Sequence, residues 1–185
     1  MRANIDFGAA EGTILQQALQ QKIGDPRHAS PTIYVSLTMR SEIKAISPLV
    51  DQLMPLVRAG HCVSGDDCDV EVAFREALAN AVLHGNERDT RKKVHVSCRI
   101  RPGEELSIVI RDEGNGFDPA RIPDPTAVDN VTSENGRGIF LMKMFMDAVS
   151  FEQGGCEVRL QKGLNRKSGR SRSDEGISQR LDAES

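Results

Sequence analysis

Glu76 and Asn80 stand four residues apart in the segment CDVEVAFREALANAVLHGNE. On a helix that spacing puts both side chains on one side, a single turn apart, with His84 a turn further. A carboxylate so placed can accept a proton or order a water, and the amide oxygen can ligate a hard cation. Phe74, Leu78 and Val82 form the opposite stripe, flanked by Val70, Ala77 and Ala81. Small residues (Ala73, Ala77, Ala79, Ala81) surround the polar pair, so the sequence places it in a partly enclosed site. Taken alone, the pair also fits the solvated face of an ordinary amphipathic helix.

Two glycine-bearing segments follow. In Arg111-Asp112-Glu113-Gly114-Asn115-Gly116-Phe117 the acid sits at the end of an apolar alternation. Gly114 and Gly116 let the backbone turn and approach a ligand with no Cβ between. Asp112 can accept a hydrogen bond from an exocyclic amino group such as that of adenine. In Asn135-Gly136-Arg137-Gly138-Ile139 the glycines open a helical pattern. Unpaired amides and the positive end of the helix dipole suit that position to phosphate, and Arg137 can add a charge-assisted contact. Each segment is common on its own: D-x-G-x-G is also ordinary turn chemistry. Their combination in this order is specific.

The elements that must hold these residues are readable from periodicity. Ile33, Val35, Leu37 and Met39 alternate as a half-buried strand does. Ile43, Ile46, Val50, Leu53 and Val57 recur at helical steps, with Ser47 expected as the cap, Pro48 in the first turn and Pro55 loosening the last. A second helix is expected over residues 68–84. Val94 to Ile100 and Leu106 to Ile110 alternate around Pro102-Gly103-Glu104, which predicts a hairpin. Residues 118–135 carry no hydrophobic period and read as a mobile loop. A helix from Gly136 to about Asp147 and two strands meeting at Gly154-Gly155 complete the pattern. The order predicts an α+β two-layer sandwich: a mixed, largely antiparallel sheet with helices on one face. Residues 1–30 read as a flexible leader with a short helical stretch at Leu15, Leu19 and Ile23. Residues 31–162 form the domain, and residues 163–185 a disordered tail.

Composition narrows the partners. The 185-residue chain is 38% hydrophobic, lacks tryptophan and has a net charge of −3, which disfavours direct nucleic-acid binding. No stretch has the length of a membrane span, and no secretory signal is visible, so a cytoplasmic chain is expected. The four cysteines (Cys62, Cys68, Cys98, Cys156) include no C-x-x-C pair, so a zinc site is not expected. No G-x-x-x-x-G-K-[ST] occurs, which excludes a P-loop.

Residues 74–86 (FREALANAVLHGN), 111–119 (RDEGNGFDP) and 136–147 (GRGIFLMKMFMD) resemble the three nucleotide-binding boxes of the GHKL ATP-binding superfamily. Within it the similarity is closer to the small anti-sigma-factor serine/threonine kinases of bacteria, over about residues 32–162. The resemblance implies the cofactors ATP and Mg2+, with Glu76 as general base and Asn80 as magnesium ligand. By the same resemblance Asp112 reads adenine, Gly114 and Gly116 shape the pocket floor, and Gly136, Arg137 and Gly138 close over the phosphates, with residues 118–135 forming the lid. It implies two partners, a small STAS-type anti-anti-sigma protein phosphorylated on serine and a sigma factor held inactive, and a homodimer. Cys156 stands where relatives commonly carry threonine, and a thiol is the poorer hydrogen-bond partner. Two other readings fit the same residues: an ATP-sensing regulator that transfers no phosphate, and the catalytic domain of a histidine kinase. Against the latter, His28 sits in no helical pair.

Overall fold

The computed structural model describes residues 2–6, 32–60, 67–116 and 134–163. The helical stretch expected around Leu15, the tail after residue 163, and the lid as far as residue 133 lie outside the described residues. Strands β1 (Arg2–Asp6), β2 (Ile33–Arg40), β3 (Lys93–Arg101), β4 (Glu105–Asp112), β5 (Ala148–Glu152) and β6 (Glu157–Gly163) form one sheet in the order β1-β2-β3-β4-β6-β5. Among the described residues only the β1–β2 pairing is parallel. The sheet is therefore mixed and largely antiparallel, as its alternating strands require.

Helices α1 (Ile46–Ala59), α2 (Asp67–Asn80) and α3 (Glu134–Phe145) cover one face. Val35, Cys98, Ile108, Leu160 and Val149 stand side by side across five strands and form one row of that face. Phe74 and Leu78 of α2, both fully buried, pack into the same core as Leu49 and Leu53 of α1. Burying these side chains at roughly 25 cal/mol per Å² is what holds α2 in place. The opposite sheet face is polar, with Ser36, Ser97 and Arg111 on it.

Four local features differ from the sequence expectation. Arg2–Asp6, inside the expected leader, adds the edge strand β1. Ser47 does not cap α1. A 3-10 turn at Ile43–Ala45 runs straight into the helix, and the Ser47 hydroxyl instead accepts a hydrogen bond from Arg75 at 3.1 Å. Helix α3 begins at Glu134, so the last two lid positions belong to it. The second helix leaves α geometry after Asn80 and closes with a π turn, Ala81–Gly85. Among the described residues no helix is long and apolar enough to cross a membrane.

Candidate functional site

The α2 sequence makes its own two-sided surface. Phe74, Leu78 and Val82 are buried on the core side, while Glu76 and Asn80 are half-exposed on the other. Against them lies the first turn of α3. A Cβ added to Gly138 would stand 2.8 Å from Glu76 Oε2 and 3.4 Å from both terminal atoms of Asn80. A side chain there would have to push the Glu76 carboxylate aside, and a glycine lets the start of α3 come this near without that shift. Tertiary packing thus gathers Glu76, Asn80 and Gly138 at one point. Arg137 is exposed beside it, and Gly136 lies in the same turn.

Asn80 also lines a cavity of ≈ 190 Å³ between α2, α3 and the sheet. Its walls are Ile110, Ile139, Met142, Phe151 and Val158, its floor Ala77 and Ala81, and its polar groups Asn80, His84 and Asp112. An apolar slot with a few convergent polar groups is the shape that takes a flat heterocycle. The strands and α3 supply the walls that motif reading alone does not name. Their signal in the sequence was the alternation that marks Ile110 and Val158 as inward-facing.

Asp112, at the end of β4, is buried at 8% exposure. The Gly114 amide donates to its Oδ1 at 2.8 Å, and its own amide donates to the Cys156 carbonyl at 3.0 Å. Burial pushes the Asp112 carboxyl above the ordinary aspartate range, and the Gly114 amide partly opposes this. Three glycines make room for the carboxylate turn. A Cβ on Gly85 would meet Asp112 Oδ2 at 2.3 Å, and one on Gly114 would meet the Gly85 carbonyl oxygen at 1.9 Å. Gly116 has φ +75, and a Cβ there would stand 2.1 Å from the Gly154 carbonyl oxygen. The Cys156 thiol donates to the Gly114 carbonyl at 3.4 Å, and burial followed by the Asp112 charge pushes its pKa up. It supports the turn rather than lining the cavity.

The π turn is what delivers Gly85 and Asn86 to this place. The Asn86 amide bonds back to the Ala81 carbonyl at 2.8 Å, five residues earlier, and the Asn86 side chain is fully buried. Such single-turn π segments concentrate at functional sites.

The magnesium ion that the resemblance implies asks for few protein ligands, because it keeps most of its water and phosphate oxygens. Asn80, an amide oxygen at the cavity edge beside a helix start and a half-exposed carboxylate, fits that demand. Among the described residues no group of three or more His, Cys, Asp or Glu side chains could hold a metal by themselves.

A family model described as a histidine kinase-like ATPase domain matches residues 39–162. The chain is similar to the anti-sigma F factor of Bacillus subtilis (strain 168), at 28% identity over 72% of this chain and 84% of that one. It is similar to the anti-sigma F factor of Heyndrickxia coagulans, at 35% identity over 51% of this chain and 67% of that one. A third relative, the anti-sigma F factor of Clostridium perfringens (strain SM101 / Type A), is 29% identical over 65% and 84%.

Proposed function

The chain belongs to the histidine kinase-like ATPase family, and from that premise we propose that it is a magnesium- and ATP-dependent protein serine/threonine kinase acting as an anti-sigma factor. The observation that carries this reading is the meeting of Glu76 and Asn80 at Gly138, on the rim of an apolar cavity that holds Asp112. The printed names of the three relatives above, each an anti-sigma F factor, support the regulatory half.

In this reading adenine lies between Ile110, Met142 and Phe151, with its amino group donating to Asp112. The triphosphate runs toward the start of α3, where backbone amides and Arg137 meet it. Asn80 would hold the magnesium ion, whose charge offsets that of the phosphates. Glu76 accepts the hydroxyl proton of a partner serine. As the serine oxygen bonds to the γ-phosphorus, the bond to the β,γ-bridging oxygen breaks and ADP leaves with that electron pair. Alignment and a positioned base supply most of the rate in such a transfer. The partner would be a small STAS-type anti-anti-sigma protein, with a sigma factor bound in the alternative complex. A cytoplasmic homodimer belongs to the same proposal.

Glu76→Gln tests it. The variant is expected to bind ATP within a few-fold of the parent, while phosphate transfer to the serine partner falls by at least about 100-fold. Undiminished phosphoserine in a radiolabelled-ATP assay removes Glu76 from the mechanism. Nucleotide-dependent partner binding without any phosphoserine in the parent protein makes the chain an ATP-sensing regulator instead.

A further inference from the structure

We infer that Asn86 is a positioning residue that aims the Asp112 carboxylate and thereby sets the preference for adenine over guanine nucleotides. The inference rests on the nucleotide-binding reading above and adds to it the device that holds the base-reading group.

Asn86 follows the π turn, and its side chain has no solvent exposure. Its Nδ2 donates to the Lys93 carbonyl at 2.9 Å. Its Oδ1 accepts from the Glu113 amide at 2.9 Å. One half of the amide faces a carbonyl and the other an N–H, so its orientation is decided: a flip loses both bonds. The Glu113 amide belongs to the peptide that follows Asp112. Fixing that peptide plane fixes the backbone direction from which the Asp112 side chain leaves.

The rest of the turn has no slack. The Asp112 amide is held by the Cys156 carbonyl, its Oδ1 by the Gly114 amide, and Gly85 abuts its Oδ2. Asn86 is the side chain that ties this turn to the end of α2, and both sides of the tie border the cavity. The Glu113 side chain makes a second, outer tie, accepting from the Lys93 amide at 2.9 Å and contacting His95 Nε2 at 3.1 Å. That tie is solvent-exposed, so the buried amide dominates.

Adenine presents an amino donor at the purine 6-position and guanine an acceptor. A carboxylate held in one direction therefore favours adenine and repels guanine, and a loose one does neither well. The test is calorimetric titration of the full-length parent, Asn86→Ala and Asn86→Asp with Mg-ATP and Mg-GTP, together with thermal unfolding. The Asp variant keeps an acceptor for the Glu113 amide but loses the donor to the Lys93 carbonyl, and the Ala variant keeps neither. The expected result is a parent that prefers ATP and an Ala variant whose GTP-to-ATP ratio of dissociation constants falls at least about tenfold. The Asp variant should recover most of that ratio. An Ala variant that is less stable but keeps the parent's ratio overturns the inference, and so does failure of both variants to fold. Absence of ATP binding in the parent itself would instead remove the nucleotide-binding reading.

Discussion

Asp112 shows how burial is used against stability. Its carboxyl is buried at the end of β4, backbone amides, that of Gly114 first, compensate only in part, and its pKa is raised. A native pKa above the unfolded value means that the folded chain holds more protons in the window between the two. Stability from this group therefore falls as pH rises through that window, and the ionised carboxylate is a net cost at neutral pH. The same ionised form is the acceptor that an adenine amino group needs. Asp112→Asn is accordingly expected to raise Tm by a few degrees. It should weaken ATP binding about 10- to 100-fold, because the Gly114 amide holds the amide oxygen and turns the NH2 toward another donor. Parallel melts and titrations of the two proteins check this. ATP affinity of the parent should also decline on acidification through the raised Asp112 pKa. A flat affinity across that range, or a variant that binds ATP as the parent does, would remove Asp112 from base recognition. Asp112, Glu76 and Asn80 were legible as residues. That Gly138 faces the latter two, and that Gly85 and Asn86 brace the first, was not, because no local spacing relates α2 to α3 or to the turn after β4.

Among the elements, the strands and α2 follow directly from period. Val94, Val96, Cys98 and Ile100 are buried in strict alternation along β3, and the Pro102-Gly103-Glu104 turn closes the hairpin with Gly103 at φ +73. The π turn is different. Ala81, Val82 and Leu83 would satisfy an α-helix equally well. What selects the wider turn is the packing that follows it, Gly85 on Asp112 and Asn86 in its buried pair of hydrogen bonds. Small residues on α2 and its π turn have a comparable logic, since Ala77 and Ala81 form the cavity floor. Ala81→Leu should fill that floor, lowering ATP affinity by at least about 100-fold while costing roughly 1–3 kcal/mol or less in stability. Titration calorimetry with denaturant melts separates the two effects, and a variant that still binds ATP tightly places the base elsewhere.

On the scale of the molecule, the sheet order puts the site and β1 at opposite ends. The cavity draws on β4, β6 and β5, whereas β1 pairs only with β2 at the far edge. Deleting residues 2–6 is therefore expected to change ATP affinity by less than about twofold, since what those residues supply is an edge ladder. A larger loss by calorimetry would mean that the edge strand governs the sheet under the site. The succession of strands and helices from β2 onward, the covered sheet face and the three motif-bearing segments were legible in the sequence alone, because hydrophobic period and glycine placement are local properties of a chain. The tertiary structure decided which segments meet. Gly138 reaches Glu76, Asn86 takes hold of the Glu113 amide, and five apolar side chains from four elements enclose one slot. Those contacts join parts of the chain whose separation leaves no periodic trace, and they form only when the common core draws α2, α3 and the sheet together.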